Sequence, residues 1–130
     1  MQDKKRQLQM ILELNPMADD FHVGIRTVED IKTFKEAMQD VESFLYGDYG
    51  KWEAERDLKR RKVVVYSSKE IKDGVFVSTS KKMATEYAGG KVEKVKSKEV
   101  DIEAVAWING DEGILADVKN ATKGKEWVRI

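Results

Sequence analysis

Along residues 3–14, DKKRQLQMILEL, the apolar positions Leu8, Ile11, Leu12 and Leu14 fall close to one side of a helix, and Asn15-Pro16 stops it. The spacing predicts a helical arm over residues 1–15 that packs on the remaining domain, residues 16–130, or on a partner. Phe21 to Ile25 is a short apolar run of strand character. Thr27 then offers a hydroxyl cap and Asp30 a first-turn acid for a helix whose stripe is Val28, Ile31, Phe34 and Met38. This helix is expected to run on through Val41 and Phe44-Leu45 until GDYG at 47–50. A third helix is read over WEAERDLKR, residues 52–60, with Glu55 and Lys59 oriented for an i,i+4 pair.

The pattern then changes period. VVVYSS has the β-branched and aromatic content of a buried strand, and IKDGVFVST repeats it after a turn at Asp73-Gly74. A helix over 81–88 ends at Gly89-Gly90, and KVEKVKSKEVDI reads as a charged, edge-lying strand. AVAWI, GILADV and WVRI supply three more short strands. Helices come first, then mostly strands with one helix among them. The fold class expected is a single compact α+β domain with a mixed or antiparallel sheet.

Composition narrows the chemistry. The chain of 130 residues is 41% hydrophobic and 37% charged, which suits one folded domain with a heavily charged surface. Its 24 basic and 24 acidic residues cancel, so no global attraction draws it to nucleic acid or to an anionic membrane. Without cysteine there is no disulfide, thiolate nucleophile or cysteine zinc site, and one histidine leaves no His-rich metal site. The N-terminus lacks a signal-peptide core and no stretch has the ~18 apolar residues of a membrane span. A soluble, cytoplasmic protein without membrane contact is expected.

Local charge remains. Residues 51–72 hold eight Lys or Arg against four Asp or Glu. The centre of this region, Lys59, Arg60, Arg61 and Lys62, is either a solvated helix end or a patch that touches phosphates or an acidic partner. Nucleic-acid binding ranks third among the functional readings, because only Trp52 and Tyr66 supply stacking rings there.

The stretch GVFVSTSKKMATEYAGG, residues 74–90, holds the main candidate site. Ser78, Thr79 and Ser80 stand where a strand becomes a helix, so one hydroxyl is needed for capping and two are left over. Strand alternation puts Val75 and Val77 on one side and Phe76 and Ser78 on the other. Ser78 is therefore expected to project into a cleft while Ser80 caps the helix. The same helix start suits a phosphate or carboxylate.

This stretch resembles the central motif of ADP-ribosyltransferase-like domains, in which an aromatic-x-Ser-Thr-Ser strand leads into a helix with a spaced Ala and aromatic. The matching positions are Phe76, Ser78, Thr79, Ser80, Ala84 and Tyr87. The resemblance implies an NAD cleft between two small sheets, buttressed by the Ser-Thr-Ser strand, and transfer of ADP-ribose to a protein, nucleic acid or small molecule. It also implies an Arg or His on an early strand and a Glu on a late one. His22 and Arg26 in FHVGIR, and Glu112 ahead of a strand from Ile114 to Val118, fill those places. Arg26 or His22 would hold the diphosphate or ribose, and Glu112 would be the catalytic carboxylate. Many members that modify proteins carry Glu or Gln two residues before that acid, whereas this chain has Gly110, with Asp111 one residue before.

The surroundings DFHVGIRTVEDI and VAWINGDEG look like domains encoded by bacteriophages and mobile elements, so a host protein is the expected partner. The alternative on the same scaffold is a catalytically silent inhibitor of a host defence system, of the anti-CRISPR kind. Each residue also has a plain structural role to set against the functional one. His22 fits a half-buried sheet histidine, Arg26 a surface pair with Glu29 or Asp30, and Glu112 a hairpin acid within a turn marked by its glycines. Tyr66 and Tyr87 are able to stack on nicotinamide or adenine, although their apolar neighbours, like those of Trp107, favour the core.

Overall fold

The computed structural model describes residues 4–14, 27–40, 45, 48–109, 112–115 and 128–129. Four α-helices, α1 (Lys4–Leu14), α2 (Phe34–Asp40), α3 (Lys51–Arg60) and α4 (Lys81–Tyr87), accompany six strands among these residues. The strands are β1 (Lys62–Ser67), β2 (Phe76–Ser78), β3 (Lys96–Asp101), β4 (Val105–Asn109), β5 (Glu112–Leu115) and β6 (Val128–Arg129). They form one sheet in the order β4-β5-β2-β1-β3-β6, and every adjoining pair is antiparallel. The domain is α+β, and its sheet is the antiparallel one of the two kinds expected. No helix among the described residues is long and apolar enough to cross a membrane.

The sheet is covered on both faces because its strands alternate. In β4, Val105 and Trp107 enter the larger core, which holds Phe34 and Ala37 of α2, Ala54 of α3, and Val63 and Val65 of β1. Ala106 and Ile108 point the opposite way, to a smaller core with Ile11 of α1, Ile31 and Ile114. The N-terminal helix is thus docked on the body of the domain. Its Gln7 amide donates to the Glu103 carbonyl at 2.8 Å, and Lys4 pairs with Glu36 at 2.7 Å.

The long helix expected from Thr27 onward is broken. Thr27 opens only a 3-10 turn, Val28–Asp30, whose Asp30 carboxylate accepts the Thr27 N–H at 2.8 Å. Ile31 is then extended, and Lys32 exchanges two backbone hydrogen bonds with Trp107, at 2.9 and 3.1 Å. Two peptide groups satisfied on the edge of β4 outweigh a weak helical preference in these residues. The helix restarts through a capping box. Glu36 N–H donates to Thr33 Oγ1 at 3.2 Å and Thr33 N–H to Glu36 Oε1 at 3.0 Å. The expected continuation over 41–44 and the strand from Phe21 to Ile25 lie outside the described residues, while Leu45 is exposed.

The second half follows its pattern closely. β1 and β2 pair across the turn that Gly74 makes at φ 89°, and Gly89 and Gly90 end α4 at φ 70° and 83°. The charged segment is corrected in part: Val92–Lys94 form a 3-10 turn, and β3 has β6 beside Lys96 and Ser97. In α3, Glu55 lies 4.0 Å from Lys51, on the opposite side of the expected Lys59. Gly113, read as a turn glycine, lies inside β5 opposite Trp107.

That glycine is a packing requirement. A Cβ at position 113 would stand 2.5 Å from Val105 Cγ1 and 3.0 Å from Trp107 Cε3. Gly113→Ala is therefore expected to cost about 1–3 kcal/mol through overpacking, seen as a lower urea midpoint with an unchanged m-value. Wild-type stability in the variant would show that Val105 and Trp107 have room to shift.

The Lys4–Glu36 contact gives a pH signature. Hydrogen bonding from Lys4 and then from the Thr33 N–H pulls the Glu36 carboxyl down to about 2 from its ordinary 4.5. The contribution to stability is present above about 4.5 and fades as pH falls toward 2. Glu36→Gln should flatten the dependence of Tm on pH between those values, and equal slopes in both proteins would count against this assignment.

Candidate functional site

The junction of β2 and α4 is built from its own hydroxyls. Ser80 is extended at the helix start, and its Oγ accepts the Met83 N–H at 3.0 Å, the capping role expected of it. The same hydroxyl donates to Asp48 Oδ1 at 2.6 Å, while Asp48 Oδ2 accepts the Lys82 N–H at 3.3 Å. Ser78 Oγ accepts the Ser80 N–H at 2.9 Å. An acid from a distant loop thus adds a second anchor to a short helix, matching its positive end.

Burial separates this arrangement from an open cleft. Ser78, Thr79 and Ser80 are 3%, 3% and 0% exposed. Ser78, expected to project into a cleft, is tied into the junction. Thr79 Oγ1 is buried with no hydrogen-bond partner among the described residues. Farther along α4, Ala84 is buried while Tyr87 is 65% exposed, so Tyr87 does not join the core.

The sheet register brings two of the predicted positions together. Ser78 on β2 is the direct partner of Glu112 on β5, and on its other side it is the partner of Tyr66 on β1. Tyr66 in turn faces Ser97 on β3. One line across four adjoining strands therefore reads Glu112, Ser78, Tyr66, Ser97. Glu112 opens strand β5, so the strand starts at this residue and not after it, while 116–118 lie outside the described residues. Tyr66 is half-buried, on the face opposite Val63 and Val65. Burial first, and then the Asp48 and Asp57 carboxylates, raise its pKa above the ordinary tyrosine value. His22 and Arg26 lie outside the described residues.

No family model, curated protein or solved structure matches this chain.

The basic patch is largely internal in its bonding. Arg60 pairs with Glu99 at 2.9 Å and Arg61 with Glu103 at 2.8 Å. Arg61 also takes the left-handed conformation, φ 60°, that ends α3 and starts β1. Lys59 is exposed and Lys62 half-buried. Upstream, the Arg56 guanidinium lies 5.3 Å from the centre of the exposed Trp52 ring, which occupies that face of the ring with a cation. The four residues thus divide between two arginines that brace β3 with its following turn and two lysines, Lys59 in the last turn of α3 and Lys62 at the start of β1.

One polar pair escaped the sequence reading. Tyr49 donates to Asp57 Oδ2 at 2.6 Å in the larger core, and Arg56 reaches Asp57 Oδ1 at 3.0 Å. Burial, then the bond to Asp57, drives the Tyr49 phenol far above its ordinary range. The available signal was an acid set between Ala54 and Leu58 on the inward face of α3. Among the described residues, no group of three or more His, Asp or Glu is placed to hold a metal ion.

The junction predicts a coupled pair. Ser80→Ala should cost about 1–2 kcal/mol by removing the cap, and Asp48→Ala should lose most of its effect in that background. Urea denaturation of the two single variants and the double variant measures this. Strictly additive effects would mean that Asp48 does not act through Ser80.

Proposed function

We propose that the chain is an ADP-ribosyltransferase-like domain that takes NAD and transfers ADP-ribose to a macromolecule of a bacterial host, in the host cytoplasm. The observation that carries this reading is the register of Glu112 directly beside Ser78. It puts the late-strand acid next to the Ser-Thr-Ser strand on which the resemblance rests.

In the mechanism, the bond between nicotinamide and the ribose anomeric carbon breaks, and its electron pair leaves with nicotinamide. The Glu112 carboxylate stabilises the positive charge that grows on the ribose, and an acceptor nucleophile then bonds to the anomeric carbon. His22 or Arg26 binds the ribose or diphosphate. Ser78, Thr79 and Ser80 act by fixing the strand and helix start under the ligand, since Ser78 and Ser80 are already hydrogen-bonded within the junction. Gly110 supplies no acid two residues ahead of Glu112 to activate the acceptor.

A second reading is a silent scaffold that captures a host protein as an anti-defence inhibitor. It is favoured by the closed hydroxyl cluster and by the exposed Tyr87 beside it. The two readings separate on NAD. At a concentration tenfold above its dissociation constant, NAD should stabilise the domain by about 1.4 kcal/mol, a rise in Tm of a few degrees. Glu112→Gln should keep that shift and lower ADP-ribose incorporation into host lysate by about 10²–10³-fold. With neither a shift nor incorporation in the wild-type protein, the silent scaffold becomes the reading.

A further inference from the structure

In the line Glu112, Ser78, Tyr66, Ser97, the proposed mechanism uses the first two and leaves Tyr66 and Ser97 without a role. Tyr66 stands between two serines that are buried, 3% and 4% exposed, yet is itself only half-buried. No hydrogen bond holds its phenol among the described residues. Its hydroxyl is protonated at neutral pH as an ordinary tyrosine's is, and burial and then the nearby carboxylates disfavour the phenolate further. It is thus a neutral donor and acceptor, half-buried between two buried serines on the same face of the sheet.

We propose that Tyr66 is a ligand-binding residue of this site, its phenol hydrogen-bonding a ribose hydroxyl of the bound dinucleotide. The inference rests on the NAD reading and deepens it. Tyr66 is two strand positions from Glu112, a backbone separation of about 9–10 Å at the usual strand spacing. A ribose bound over β2 with its anomeric carbon on the β5 side, as the proposed mechanism requires, would have its hydroxyls on the side of β1 and Tyr66. A neutral group suits this place, since sugar hydroxyls both donate and accept, whereas a diphosphate is matched better by a cation.

The test is the dissociation constant of NAD, by calorimetry, for the full chain and two variants. Tyr66→Phe keeps the ring and removes only the hydroxyl. It is expected to bind NAD roughly fivefold to tenfold more weakly, the size of one net hydrogen bond, with the Tm of the unliganded protein unchanged. Tyr66→His, a planar donor, should recover part of that loss, which a purely structural role for the ring does not predict. Wild-type binding with undiminished affinity in Tyr66→Phe overturns this inference and leaves the NAD reading standing. No binding by the wild-type protein overturns both. If Tyr66→Phe lowers the unliganded Tm, the Tyr66→His protein decides: binding tighter than that of Tyr66→Phe supports the contact, and binding no tighter refutes it.

Discussion

The close stacking of Trp107 over Gly113 organises the domain. The indole is fully buried, meets Phe34 edge-on with ring centres 6.0 Å apart and a 70° tilt, and lies where a side chain on β5 would be. The backbone of the same residue holds Lys32 at the edge of the sheet. One residue thereby ties β4 to β5, brings in the approach to α2, and decides where the helical segment is interrupted. Ile31 and Phe34, which a continuous helix would put on one stripe, serve the two opposite cores.

How far the sequence discloses this differs by region. The strands β1 and β2, the helix α4 and its two terminal glycines are legible because local signals agree: a strand period of two, an Asp-Gly turn, a serine cap and glycines at positive φ. The break after Asp30 is less legible, because its cause is a pairing with Trp107 far along the chain. Even so, Thr33 and Glu36 carried a capping-box spacing within the run read as one helix. Gly113 misled for a related reason: beside Asn109, Gly110 and Asp111 it looks like part of a turn, and only the indole opposite it reveals a steric need.

The candidate site divides in the same way. The cap made by Ser80 follows from local sequence, but its partner Asp48 does not, because nothing in the order of residues announces a contact between separate loops. The burial of Ser78 and Thr79 was equally hidden, since alternation assigns faces without saying what covers them. The pairing of Arg60 and Arg61 with Glu99 and Glu103 reduces what looked like a run of charge to two braces between α3 and the segment around β3. Asp57, on the inward face of a helix, marks where a buried tyrosine was to be found.

The strand order has a kinetic consequence. β5 pairs with β2 even though α4, β3 and β4 intervene in the chain, whereas β1 and β2 meet across the eight-residue connection 68–75. Loop closure makes the local hairpin the cheaper event, and the β2–β5 contact must wait for a longer loop to close. Glu112 and Ser78 are therefore joined late, after the hairpin that carries Tyr66. During synthesis the N-terminal parts emerge first, so the line of polar residues is complete only after β5 has left the ribosome. A truncated product ending before β5 would lack the acid and leave the β2 edge unpaired, prone to joining another strand in its place.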